Sequence, residues 1–314
     1  MTKSGFVALI GRPNAGKSTI LNRLVGEKIA IVSNKPQTTR HRILGVQTRD
    51  ESQAIFVDTP GIHRPGHRLN DRMMEEVYEC LHSVDLVVQV VDASENFGKG
   101  EEYVLNLIQK TNKPTILVLN KVDVMNRAKV LPTIDYYNQQ YEYRELIPLS
   151  ADKGDNFEVL EQKIAENLPE REWQYPEDYL TNQTERSLVS EIIREKVLHH
   201  THKELPYATA VLMEVFDEER REQGFVRICA SIIVDKVSQK KIVIGRGGRM
   251  IKAIGTKARL EIQECLQVKK VYLDLNVKTM PGWRDRDHLL DQLGVRSTDY
   301  IDLEHLTPDL TPDP

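Results

Sequence analysis

Short apolar runs bounded by turn residues recur through the first half of the chain: FVALI (6–10), AIFVD (54–58), DLVVQVVD (85–92), TILVLN (115–120) and LIPLS (146–150). Their length and their content of β-branched residues predict buried strands. Amphipathic stretches at 17–26, 70–83, 100–112, 126–141 and 156–167 lie between them. Strand and helix therefore alternate, which predicts an α/β unit, a mostly parallel sheet with helices on both faces. A further strand near 42–49 is placed to pair antiparallel with 53–58.

The alternation stops at Leu168, where PEREWQYPEDY mixes proline, charge and aromatic residues and reads as a linker over 169–184. A different order follows. Helix over 185–201, strands over 208–217 and 225–235, helices over 239–243 and 249–264, and a strand over 270–277 make αββααβ, a smaller α+β unit within 185–295. The residues from 296 to 314 read as a disordered acidic tail. The expected domains are thus 1–168 and 185–295, joined by the linker.

A length of 314 residues suits two cores, since single cores stop growing near ~250 residues. With 40% hydrophobic and 29% charged residues, collagen, disordered chains and coiled-coil rods are excluded. The chain contains no uninterrupted apolar run of membrane-spanning length, and MTKSGFVALIG is too short in its apolar part for a secretory signal. A soluble, cytoplasmic protein is expected. Cys80, Cys229 and Cys265 are widely spaced and form no CxxC pair, so neither a disulfide framework nor a zinc site is indicated.

The net charge of −4 comes from residues 296–314, which hold one arginine against five acids, leaving 1–295 neutral overall. Locally the balance is different: eight basic residues and no acid lie between Lys236 and Arg259.

Gly11-Arg12-Pro13-Asn14-Ala15-Gly16-Lys17-Ser18 matches GxxxxGK[ST] directly after a predicted strand and at the start of a predicted helix, with Thr19 following. Glycines there let backbone N–H groups curl around phosphates, and the helix N-terminus adds the positive end of its dipole. Lys17 would reach the β and γ phosphates, and Ser18 offers an oxygen to magnesium. The bland reading of the same octet is a glycine-rich turn capping a helix.

Asp58-Thr59-Pro60-Gly61 ends another strand, where Asp58 is placed to hold magnesium through water and the Gly61 amide to meet a γ phosphate. Alone, DxxG carries little weight. Asn120-Lys121-Val122-Asp123 closes a further strand, and a carboxylate at Asp123 accepts from both N1–H and the 2-amino group of guanine, which adenine cannot supply. Ser150-Ala151-Asp152 closes the fifth, placing the Ala151 amide to donate to guanine O6. Each motif sits at the C-terminal end of a predicted strand, where open α/β sheets bind ligands. Together they predict a GTP-binding domain.

With GRPNAGKS, DTPG and PQTTRHR in this order, the chain resembles the translation-factor-related GTPases, and among them the Era group. The resemblance implies that a threonine of the first switch loop closes on magnesium and γ phosphate. Thr38 and Thr39 are adjacent in the loop between Gly26 and His41; Thr39 is favoured, and a plain surface turn is the competing reading. Ile62 stands where Ras-like enzymes place the glutamine that orients the attacking water. In related GTPases with such a replacement, an asparagine at the position of Asn14 holds a potassium ion; the competing role for Asn14 is to brace its own loop.

Ile244-Gly245-Arg246-Gly247-Gly248-Arg249-Met250-Ile251 fails as a dinucleotide fingerprint, because Met250 occupies the position that needs a small residue. As GxxG between two helices it lets backbone approach a nucleic-acid backbone while Arg246 and Arg249 meet phosphates. Lys252 and Lys257, with Lys240, Lys241 and Arg259, extend the basic surface. Ile244, Ile251 and Ile254 are either the lining of a groove for unstacked bases or ordinary core.

With αββααβ around it, the segment resembles a type II KH domain, and a GTPase followed by such a domain is distinctive of the Era group. The resemblance covers roughly 5–293, including a helix in the 281–290 segment. It implies GTP hydrolysis to GDP with Mg²⁺, binding of small-subunit rRNA near its 3′ end, a role in small ribosomal subunit maturation, and peripheral membrane association. Two other readings stay open: a P-loop metabolic kinase with a basic substrate domain, which has no need of NKVD, and a membrane-associated signalling GTPase whose basic face meets anionic lipid.

Overall fold

The computed structural model describes residues 2–35, 37–62, 67–202 and 204–295; the acidic segment from 296 onward lies outside them. The strands β1 (Lys3–Ile10), β2 (Ile43–Arg49), β3 (Ser52–Asp58), β4 (Leu86–Asp92), β5 (Thr115–Asn120) and β6 (Glu145–Pro148) form one sheet. Its order is β2-β3-β1-β4-β5-β6. Only the β2–β3 pair is antiparallel, as expected for 42–49 against 53–58.

Side chains alternate across each strand, so Val7 and Leu9 face one layer while Ala8 and Ile10 face the other. The first layer holds α1 (Lys17–Val25) and α5 (Phe157–Asn167), through Ile20, Leu21, Leu24, Leu160 and Ile164. The second holds α2 (Arg68–Ser83) and α3 (Lys99–Gln109), through Val77, Leu81, Val104 and Ile108. The helix expected over 126–141 is shorter, α4 (Val130–Gln140), preceded by a turn of 3₁₀ helix at Arg127–Lys129. Asn126 caps that turn by accepting from the Ala128 amide at 3.0 Å.

The second sheet has the order β7-β8-β9, made of β7 (Thr209–Asp217), β8 (Phe225–Val234) and β9 (Lys270–Thr279). The β7–β8 pair is antiparallel and the β8–β9 pair parallel. With α6 (Glu185–His200), α7 (Val237–Ile244) and α8 (Arg249–Cys265), the chain order is the αββααβ read from the sequence. Ile192, Val197, Val243, Ile254, Ala258 and Ile262 close the core against Val226, Ile228 and Ile232. A last helix, α9 (Asp287–Gln292), follows.

Residues 169–184 form no strand or helix, yet they are not a free tether. The Ser4 amide donates to Pro169 O, the Arg171 amide to Thr2 O and the Val46 amide to Leu180 O, at 2.8–3.2 Å, and Gln53 holds the amides of Gln174 and Tyr175. The segment is strapped to the first sheet by backbone hydrogen bonds at the start of β1 and along the edge strand β2.

The two units also share a hydrophobic cluster. Leu69 and Met73 of α2 pack with Ala210, Ile233, Trp283, Leu290 and Val295. Arg72, 2% exposed, donates to Asp291 at 2.6 Å, to Asp287 at 2.5 Å and to Val295 O at 2.5 Å. These contacts join distant parts of the chain, which no local pattern reveals.

Candidate nucleotide site and nucleic-acid surface

The turn Gly11–Gly16 leads from β1 into α1 and lines a cleft of about 300 Å³ with Pro13, Asn14, Lys17, Ser18, Thr19, Thr39, Gly61, Asn120 and Lys121. Gly16 has φ +103°, and a Cβ there would stand 2.1 Å from Asn120 Nδ2. Only glycine fits. Lys17 Nζ donates to the carbonyls of Gly11 and Arg12 at 3.0 and 3.2 Å, so its charge is aimed along the turn. The Arg12 side chain points elsewhere, to Glu95 at 3.1 Å and Glu101 at 3.5 Å; its part in the turn is its backbone.

Ser18, Thr39 and Asp58 converge. Ser18 Oγ donates to Asp58 Oδ2 at 2.6 Å, Thr39 Oγ1 to the same oxygen at 3.2 Å, and the two hydroxyls are 2.9 Å apart. Thr38 turns away and donates to Lys35 O at 2.5 Å, which favours Thr39 as the threonine that closes on the ion. Among the described residues Asp58 Oδ1, which is buried, has no hydrogen-bond partner. Two hydroxyls and a carboxylate are hard oxygen donors of the kind magnesium takes, with the remaining positions left to water and phosphate. The set fits the ion.

Electrostatics agree. Burial raises the Asp58 pKa above the ordinary carboxylate range, opposed by Lys17 and by hydrogen bonds from Ser18 and Thr39. Burial likewise lowers Lys17, opposed by Asp58 and Glu101. Each charge is short of compensation, and a polyphosphate beside Lys17 with a divalent cation beside Asp58 supplies it.

At the other end of the cleft, Asn120 bolts three motifs together. Its Nδ2 donates to Ala15 O at 2.8 Å and its Oδ1 accepts from the Ala151 amide at 2.9 Å. The Ala151 amide, expected to meet guanine O6, thus also meets Asn120, where the β5 and β6 strand ends lie side by side. Ser150 is buried beneath the cleft, and its Oγ accepts from the Lys153 amide at 3.2 Å. Asp152 lines the cleft. Asp123 is exposed in the turn after β5, and Lys121 Nζ donates to Asp92 at 2.5 Å.

Several positioning residues give no sign of themselves in the sequence. Asn22 holds the start of the switch loop, accepting from the amides of Ile29 and Ala30 at 3.0 and 2.9 Å. Arg23 braces the guanine end by donating to Ala151 O at 3.0 Å. Arg194, on α6 of the other unit, donates to Thr38 O and, at 3.3 Å, to Gln37 O. An asparagine and two arginines inside helices follow no local pattern; only the fold shows what they reach.

In the second unit, Gly245, Gly247 and Gly248 have φ of 73°, 61° and 74° and connect α7 to α8. Arg246, Gly247, Arg249, Lys252 and Lys257 are exposed around this turn. Beside it, Ile251, Lys252, Gly255, Thr256, Arg259, Leu273 and Leu275 line a groove of about 300 Å³ between α8 and β9. An apolar floor with cationic walls suits unstacked bases on a phosphate backbone. Of the three isoleucines considered, Ile251 lines the groove and Ile254 does not: its position on α8 turns it fully into the core. Ile244 packs against that core.

A family profile described as a 50S ribosome-binding GTPase matches residues 6–121, and a KH-domain profile matches 204–284. A crystal structure of Era in complex with MgGDPNP and nucleotides 1506–1542 of 16S ribosomal RNA is similar over 94% of this chain and 100% of its own, at 40% identity and a TM-score of 0.90. An Aquifex aeolicus Era variant bound to GDP.AlF4⁻ is similar over the same shares at 40% identity and a TM-score of 0.89.

Proposed function

The chain belongs to the Era family of GTPases, and from that premise we propose that it is a GTP-binding and GTP-hydrolysing switch. It binds small-subunit rRNA near the 3′ end and assists assembly of that subunit. One observation carries the reading. The loop that brings Thr39 to Ser18 and Asp58 is gripped on its other side by the second unit, through Arg194 on Thr38 O and Arg40 on Thr209 O at 2.7 Å. A change at the γ phosphate would therefore reach the unit that carries the GxxG turn. Of the two ribosomal associations named for similar proteins, that with 16S rRNA is preferred, since it comes with 94% coverage of the chain.

Lys17 would place its charge against the β and γ phosphates, and Asp123 would select the base. Ser18, Thr39 and Asp58 would hold magnesium, which neutralises charge developing on the transferred phosphoryl group. Ile62 is buried and has no polar atom to orient water, so intrinsic hydrolysis is slow. Nucleotide-dependent crosslinking to total cellular RNA is expected to enrich small-subunit rRNA near its 3′ end with a GTP analogue. Crosslinks scattered without enrichment would overturn the assignment.

Potassium belongs to the same proposal. Asn14 Nδ2 donates to Asn34 O in the switch loop at 2.9 Å, and Asn14 Oδ1 is buried with no partner among the described residues, an arrangement that supports a cation between the two loops. Turnover is expected to be severalfold faster in potassium than in sodium at matched ionic strength; equal rates reject the ion. Among the described residues, no helix is long and apolar enough to cross a membrane. The acid-free basic run favours peripheral contact with anionic lipid as a second reading, which sedimentation with anionic vesicles tests.

A further inference from the structure

Beside the phosphate-binding turn lies a carboxylate that strand and helix packing does not explain. Glu101, in the first turn of α3, is 3% exposed. Its side chain lies 3.5 Å from Arg12 Nη1 through Oε1, while Oε2 is buried with no hydrogen-bond partner among the described residues. A carboxylate buried in this way is costly unless it is paired, and Arg12 is its ion-pair partner.

The backbone of Arg12 belongs to the turn itself. Its carbonyl and that of Gly11 accept from Lys17 Nζ at 3.2 and 3.0 Å, so whatever fixes Arg12 also fixes the acceptors that aim Lys17. The guanidinium lies against Gly100, where a Cβ would stand 2.9 Å from Arg12 Nε. Glu95, with an exposed side chain, pairs with the same Nη1 at 3.1 Å. Only Glu101 anchors Arg12 from within the protein.

Burial lifts the Glu101 carboxyl to about 7, with Arg12 opposing, Glu95 adding and Lys17 opposing. Burial also raises the phenols of Tyr137, on α4, and Tyr143, ahead of β6, and the Glu101 charge raises both further. Tyr143 is committed to Gln89 of β4, donating to its Oε1 at 2.8 Å. The cations that compensate Glu101 are thus Arg12 and Lys17.

We propose that Glu101 is a positioning residue of the nucleotide site, holding Arg12 and so the acceptors of Lys17, and that it takes up a proton as the phosphates bind. The inference rests on the reading of the P-loop as a GTP site. Polyphosphate draws on the charge of Lys17 and brings negative charge of its own, so Glu101 loses compensation and protonation restores it. A protonated Glu101 still accepts from Arg12 through its carbonyl oxygen, and the hold survives. Because the carboxyl titrates higher in the complex than in the empty protein, the gain in affinity is full at low pH and is lost as pH rises through neutrality.

Affinity for Mg²⁺ and GTPγS, measured on the full chain from about pH 6.5 to about pH 8.5, tests this. For the unaltered chain a loss on the order of fivefold is expected over that range, below the tenfold per pH unit that one proton allows. Glutamine is neutral throughout and keeps an oxygen for Arg12. Glu101→Gln is therefore expected to match the unaltered chain at the acid end and to bind several-fold more tightly at the alkaline end. Ionisation of the nucleotide is common to both. Glu95→Gln is expected to keep the fall, and Glu101→Ala, which leaves Arg12 without its inner acceptor, to weaken binding at every pH relative to Glu101→Gln. Parallel profiles for the unaltered and Glu101→Gln chains overturn the proton uptake, and equal affinities of folded Glu101→Ala and Glu101→Gln overturn the positioning role. An unaltered chain that binds no GTPγS at any pH overturns the GTP reading instead.

Discussion

Asp123→Asn is expected to lower GTP affinity by about 100-fold and to turn preference toward xanthosine triphosphate. The carboxylate accepts two hydrogen bonds from guanine, each worth ~1.5 kcal/mol when charge-assisted, and ~1.4 kcal/mol is tenfold in affinity. Xanthine presents a 2-oxo acceptor where guanine has its amino donor, which the new amide satisfies. Asp123 is exposed at the end of its turn, so the substitution leaves the fold intact. Asn120 would make a poor test of the same site, because its amide joins the P-loop to the β6 strand end and its loss disturbs structure and binding together. Competition between the two nucleotides decides the matter; a folded variant that still prefers GTP to the same degree removes Asp123 from the base.

The difference between these neighbours shows what a sequence discloses. Groups expected to meet a ligand sit at strand ends in short fixed spacings, since backbone geometry there admits few alternatives, and so Lys17, Ser18 and Asp58, which the structure brings together, are legible as a cluster. Strands β1, β3, β4 and β5 are legible for a related reason: burial on both faces demands largely continuous apolar runs. Contacts between residues far apart in the chain are not. Arg40 reads as part of a switch loop, yet its guanidinium is buried on carbonyls of the second unit. The 169–184 segment reads as a tether because its side chains carry no period, whereas its attachment is through backbone amides and carbonyls. Nothing in SAD shows that the Ala151 amide donates to Asn120.

Shared packing between the units also changes what a variant of the RNA surface must satisfy. A substitution that disturbs α8 risks reaching the switch loop through α6, since Glu195 of α6 and Glu261 of α8 both pair with Lys28. The GxxG turn lies apart from that path. Within it, Gly245 is a structural position: a Cβ there would meet Met250 Cβ at 2.6 Å. Gly248 is not, for a Cβ there meets nothing within 4 Å.

Gly248→Asp should therefore weaken RNA binding on the order of 100-fold while GTP binding is unchanged. Its φ of +74° is strained for most residues, but aspartate is among the few that tolerate the left-handed region. The new carboxylate lies between Arg246 and Arg249, the exposed cations expected to meet phosphates. Neutralising two such cations at ~1.5 kcal/mol each accounts for the factor. The salt dependence should change with it, the log-log slope falling by about 0.7 for each single-strand phosphate that the variant no longer neutralises. Binding of an RNA oligonucleotide across a salt series measures both, with nucleotide affinity and thermal melting as controls for the fold. A folded Gly248→Asp protein with unchanged RNA affinity and slope would take the GxxG turn out of RNA recognition, and the eight cations between Lys236 and Arg259 would then serve a lipid surface or solvent alone.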